Sequence, residues 1–216
     1  MATHKVSASP HEDQLMPVVT TDMEMSAARI RILPQRYKHF RQSVWQNYTD
    51  IGSRALACGD AHLAHTMFGA ALTEARKEEH IDYRLAVSFS HVAHSLLSMG
   101  ELGQAANKYL KALSITRSTI GAPKVFEIML LETLGDIRLR QGHLRLAKRH
   151  LTRALALREK SEMEEQADLN DWESRAKLML KLAHISSEMK QTDEAIALYE
   201  RSKTLTSLCN SAARMS

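Results

Sequence analysis

The chain has 216 residues, of which 44% are hydrophobic, 25% charged and only 5% aromatic, with 8 glycines and 4 prolines. This is a globular balance, long enough for a sizeable core, and its wealth of Leu, Ala, Glu, Lys and Arg favours helix and argues against a sandwich or barrel. The formal charge of +4 is too mild to identify a partner by itself. Cys58 and Cys209 stand far apart without C-x-x-C spacing, so they make neither a disulfide framework nor a zinc site. The N-terminus lacks the apolar core of a signal peptide, and no run reaches the roughly 18 apolar residues that a spanning helix needs. The expectation is a reduced, cytoplasmic protein with no membrane span.

Residues 1–25 hold Pro10, Pro17, several Ser and Thr and scattered Met without periodicity, which predicts a disordered tail. A helical pattern starts at residue 26, and Pro34 suits a first helical turn. Between 26 and 41 stand Arg29, Arg31, Arg36, Lys38 and Arg41 without an acid. They form either an exposed extension of the first helix or a dock for an acidic partner.

From residue 59 the chain writes one phrase repeatedly: "GDAHLAHTMFGAAL", then "GELGQAANKYLKAL" from 100, then "GHLRLAKRHLTRAL" from 142. With Ala64, Ala105, Ala147 and Ala195 as anchors, four residues on come Phe68, Tyr109, Leu151 and Tyr199. Three beyond those are Ala71, Ala112, Ala154 and Ser202. Five before each anchor stand Gly59, Gly100 and Gly142, with Lys190 breaking the pattern. Twelve before are the small residues Gly52, Ala93, Gly135 and Ala183, each preceded by an aliphatic one: Ile51, Val92, Leu134 and Leu182.

Steps of four and three put the small–large–small triplet on one face of a helix. The earlier small residue belongs to a preceding helix that the glycine ends. Each unit is therefore a helical hairpin whose two backbones approach closely over small residues. It cannot bury its apolar face alone, so neighbours must stack. The hairpins are expected at about 34–79, 81–120, 123–160 and 171–208, with 209–216 fraying. The acidic stretch 158–174, "REKSEMEEQADLNDWES", reads as a longer exposed connection before the fourth.

Those residues, over roughly 45–205, resemble the tetratricopeptide repeat family. The anchors are 41, 42 and 48 residues apart, longer than the commonest 34-residue form. The spacing is similar to the long-repeat subclass of kinesin light chains. The resemblance implies an all-α, right-handed superhelix of four hairpins whose first helices line a concave groove for partner peptides. In this register the groove residues are Asp50 and Ser53, His91 and His94, Glu132 and Asp136, and Lys181 and His184, with Arg140 and Lys177 farther along the same faces. Long-repeat relatives place paired asparagines where His91 and His94 stand, so an amide clamp on a peptide backbone is not expected here.

Other chemistry finds no footing. There is no phosphate loop, H-E-x-x-H, G-x-S-x-G or dinucleotide fingerprint. His62/His65 and His91/His94 share helix faces at i, i+3, but zinc needs three or four converging ligands. No catalytic residue, cofactor or metal is assigned, and the chain is read as non-enzymatic. The favoured function is a scaffold that binds a protein or peptide, acidic in character, in the groove. An alternative rests on Arg145, Lys148, Arg149 and Arg153, a basic stripe on the second helix of unit three, which would hold nucleic acid or another anionic surface. The stripe has no aromatic platforms for bases to stack on. Self-association through the last hairpin stays open.

Overall fold

The computed structural model describes residues 43–77, 83–164 and 169–213. The chain divides into two units, 1–43 and 44–216, and the first lies outside the described residues except for Ser43. The expected disordered tail and the basic segment 26–41 therefore fall outside the description. The described residues form eight α-helices and no strand. They are α1 (43–57), α2 (Ala61–Ala75), α3 (Tyr83–Ser98), α4 (Leu102–Ser118), α5 (Lys124–Arg140), α6 (Leu144–Glu164), α7 (Leu169–Glu188) and α8 (Thr192–Ala213). Each of α2 to α8 packs on its neighbours in the chain, α3 with α4, α5 with α6 and α7 with α8 most extensively.

The turn inside each hairpin is the same object four times. In the first, the Gly59 amide donates to the Leu56 carbonyl and the next amide, of Asp60, reaches back to Ala55. Glu101 to Leu96, His143 to Arg138 and Gln191 to Ser186 repeat that long bond at 2.8–2.9 Å. This pairing satisfies the last carbonyls of the first helix and requires a left-handed residue just before the long bond's donor. Gly59, Gly100 and Gly142 supply it with φ of 82°, 82° and 74°, and Lys190 adopts the same conformation at φ 61°. The break in the sequence pattern is thus not a break in the backbone. The anchors then open the second helices, Ala64, Ala105, Ala147 and Ala195 each donating to the residue four before it.

Close approach is visible at the small positions. A Cβ added to Gly52 would lie 2.6 Å from the Phe68 ring, and one on Gly135 would lie 2.4 Å from Leu151 Cδ2. Ala64, Ala105, Ala147, Ala71, Ala112 and Ala154 are all fully buried, as the small–large–small reading requires. In the fourth unit Ser202 takes the alanine's place, stays buried and donates its hydroxyl to the Ala176 carbonyl at 2.9 Å.

Two expectations change. The acidic stretch is mostly helical, because α6 runs to Glu164 and α7 begins at Leu169, leaving only 165–168 between them. Its Glu, Lys and Met are good helix formers, and Asp171 lies in the first turn of α7, where the helix dipole favours an acid. At the other end α8 continues to Ala213, past the expected fraying point at 209.

Candidate functional site

Contacts between units follow the repeat period and define two faces. On the first-helix face, Trp45 Nε1 donates to Ser88 Oγ at 2.8 Å, the Tyr83 and Phe126 rings meet edge to face at 5.0 Å, and Lys181 reaches both Asp136 oxygens at 2.8 Å. On the second-helix face, Lys148 binds Glu194 and Gln191, and Arg201 binds Glu159 at 2.9 Å. Sequence separations of 42–46 in these pairs are the signature of stacked units, each touching its neighbour at an equivalent place.

The sequence-derived groove residues lie on the first helices, in different states. Asp50 and Ser53 are exposed on α1, and the Ser53 hydroxyl donates to its own helix at Thr49 O. Asp136 and Lys181 come together as an ion pair between α5 and α7, each side chain somewhat under half exposed. Lys177 pairs within α7 with Glu173 at 2.6 Å, and His184 faces Glu188 at 3.2 Å. Arg140 is exposed and makes no ion pair among the described residues. Glu132 is turned to Arg158 at 2.8 Å, which also binds Asp171 at 2.8 Å. Burial works against the Arg158 charge, but hydrogen bonds to Glu132 and Asp171 outweigh it and hold the pKa above its ordinary value. Arg158 thereby ties α6 to α5 and α7.

The two histidines of α3 differ. His94 is exposed. His91 lies in the α2–α3 joint, its ring 4.9 Å from Phe68, with a buried Nδ1 that has no hydrogen-bond partner among the described residues. Burial, and then the nearby His94, push its pKa below the ordinary value. Of the pair, His94 is the more exposed. His65 does not join them: its Nδ1 lies 3.0 Å from Ser95 Oγ. Ser95 donates its own proton to Val92 O, so the His65 Nδ1–H is the donor. Among the described residues no group of three or more His, Cys, Asp or Glu is placed to hold a metal ion.

The register also places residues that the sequence reading passed over. Ten and six positions before the small residue of α5 stand Val125 and Met129, exposed on the stripe that continues through Asp136 to Arg140. Val87 is the counterpart of Met129 on α3 and is half-buried. Extending the repeat alignment backward along the first helices would have found them, since the spacing alone sets the face.

The basic stripe is interrupted. Lys148 is taken by Glu194 and Gln191 of α8, and Arg153 lies 3.9 Å from Glu127. Arg145 and Arg149 remain exposed. At the end of the array Ile196 (57%) and Tyr199 (58%) are exposed beside Leu180 and Ala183, around an open hollow of about 640 Å³. Phe68, Tyr109 and Leu151, the counterparts of Tyr199, are buried at 0–4%. Among the described helices, none is long and apolar enough to cross a membrane.

Comparisons with known proteins agree with this architecture. The tetratricopeptide repeat family matches residues 84–160, and a second form of the same repeat matches 176–207. Among curated proteins none matches. The apo form of RapI superposes with a TM-score of 0.64 at 16% identity, over 78% of this chain and 58% of RapI. MamA gives 0.57 at 18% identity over 76% and 74%. Aspartyl phosphate phosphatase F from Bacillus subtilis gives 0.66 at 15% over 79% and 42%, so the chain spans well under two thirds of RapI and of that phosphatase. At these identities the likeness is one of fold. On the repeated joint, the stacked hairpins and the family match, this chain belongs to the tetratricopeptide repeat proteins.

Proposed function

We propose that the protein is a non-enzymatic interaction scaffold, and that the exposed face of its first helices binds a segment of a protein partner. The observation that carries this reading is the α5–α7 part of that face. Val125 and Met129 offer apolar contact, the Asp136–Lys181 pair lies in line with them, and Arg140 supplies a cation with no ion-pair partner among the described residues. Apolar surface beside a few fixed polar groups is what a peptide-recognition face needs. Helices held by packing on both sides do not reorganise on binding, so most of the ordering cost falls on the peptide. The acidic character expected of the partner rests on Arg140 and His94, because Lys177, Lys181 and His184 already face carboxylates.

The test is capture of partners from native extract by the intact chain and by a Met129→Ser, Arg140→Ala variant. Both positions are exposed, so the fold is retained. Loss of captured proteins from the variant supports the groove assignment, and an identical set refutes it. The nucleic-acid alternative gains no particular support, since the stripe that would carry it has lost Lys148 to an internal pair.

A further inference from the structure

The second-helix face has its own periodic feature. Arg76, at the end of α2, corresponds by register to Arg117 on α4 and Glu159 on α6. Lys108 and Lys111 of α4 correspond to His150 and Arg153 of α6, and to Leu198 and Arg201 of α8. These residues meet in the furrow between successive second helices, so the described residues form three equivalent niches. The last is balanced, with Arg201 bound to Glu159 at 2.9 Å. The other two are not.

In the first niche the Arg76 guanidinium lies 5.4 Å from the centre of the Phe89 ring, and the Lys108 and Lys111 ammonium groups lie 5.9 Å from the same point. Three cations thus converge on one ring, and none of them makes an ion pair with a described carboxylate. In the second niche a single carboxylate, Glu127, serves both Arg117 at 2.7 Å and Arg153 at 3.9 Å. Arg138 adjoins them, bound through Nη1 to Gln141 while its Nε is buried with no partner among the described residues. His150, buried in the same place, has its pKa pushed down by burial and then by Arg149, Arg138 and Arg117, as a locally positive potential requires. Several other cations that lie between helices are matched: Lys148 with Glu194, Arg158 with Glu132 and Asp171, Lys181 with Asp136. Ring quadrupoles attract cations, but mutual repulsion of like charges offsets that gain unless an anion sits between them.

We propose that these two niches form an anion-binding surface on the second-helix face, and that its ligand is an acidic segment of a polypeptide lying across α2, α4 and α6. The choice of ligand follows from shape and chemistry. The niches are sunk between helices, with Lys108 half-buried and Phe89 only 6% exposed beneath the cations. A narrow extended chain reaches such places, whereas a bilayer meets protruding charges. The ring is covered, so it offers no platform on which a nucleobase could stack. The niches recur once per repeat along the second-helix face, and an extended chain, rising about 3.3 Å per residue, can follow them.

The experiment uses the full chain and a fluorescent Glu-rich peptide, compared with its Gln counterpart, by anisotropy at low ionic strength. The Glu peptide should bind and the Gln peptide should not. Lys108→Gln/Lys111→Gln, and separately Arg117→Gln/Arg153→Gln, should each weaken binding about tenfold, the scale of losing charge-assisted hydrogen bonds. Arg145→Gln, which removes a cation from the same face outside the niches, should change it less than about twofold. Melting temperature serves as the folding control, and Lys111→Gln alone replaces the double variant should that fail to fold. Four results overturn the proposal: no binding of the Glu peptide, equal binding of both peptides, equal weakening by Arg145→Gln, or tighter binding of single-stranded RNA or phosphatidylserine vesicles than of the peptide.

Discussion

Lys190→Gly should make the protein more stable, because it restores the residue that the fourth joint demands. Lys190 holds φ 61° in the place where Gly59, Gly100 and Gly142 sit at 74–82°. A side chain in the left-handed region crowds its own backbone at a cost of about 1–2 kcal/mol. Glycine brings more unfolded-state freedom, which takes back roughly 0.5–1 kcal/mol. The net gain is therefore about 0.5–1 kcal/mol, or a rise of about 1–4 °C in melting temperature for a domain of this size. Stability in stacked repeats is local, so the clearest assay is hydrogen exchange across α7 and α8, supported by thermal melting under circular dichroism. The reciprocal change, Gly142→Lys, should slow nothing and speed exchange in α5 and α6. Unchanged or faster exchange in the Lys190→Gly protein would refute the claim that the four joints are equivalent.

Four further outcomes follow from the geometry. Gly135→Ala should cost about 1–2 kcal/mol in a urea titration, because the clash with buried Leu151 outweighs the helix-propensity gain. Gly69→Ala, where an added Cβ meets nothing within 4 Å, should instead stabilise by about 1 kcal/mol. His91 and His150 both have folded pKa values below 6.5, so the folded state binds fewer protons than the unfolded one. Their effect on stability is absent above that value and turns destabilising as pH falls below it. Melting temperature measured from pH about 7.5 down to about 5.5 should accordingly drop less in a His91→Gln, His150→Gln protein than in the parent. A double-mutant cycle on Asp136 and Lys181 should give a coupling below about 1 kcal/mol, because both side chains are more than a third exposed.

Much of this fold was legible in the chain because its packing uses residue size in a fixed register. Gly52 under Phe68 and Gly135 under Leu151 are contacts that the spacing of small and large residues already encodes. Lys190 was harder to place, since a lysine does not signal a left-handed turn even though the surrounding hydrogen bonds enforce one. The site was less legible than the fold. Register alone put His91 and His94 on the same helical face, but it could not show that one imidazole is drawn against Phe68 while the other stays outside. Charges were harder still. The stripe of Arg145, Lys148, Arg149 and Arg153 is continuous along α6, yet Lys148 finds Glu194 one repeat away. Pairings between units depend on side-chain reach across a stack, which local periodicity does not contain.

The central claim is that partners meet the first-helix face, and site-specific photo-crosslinking tests it most directly. A photoreactive residue is introduced singly at Ser53, His94 and Asp136 on that face, and at Gln104 and Ser114 on the second helix of unit two, all of them exposed or half-exposed. Irradiation in native extract should join the same partner to the three first-helix positions, with Met129→Ser, Arg140→Ala abolishing the adduct. Adducts of that same partner formed from Gln104 and Ser114 in place of the three first-helix positions, or first-helix adducts indifferent to that substitution, would contradict it.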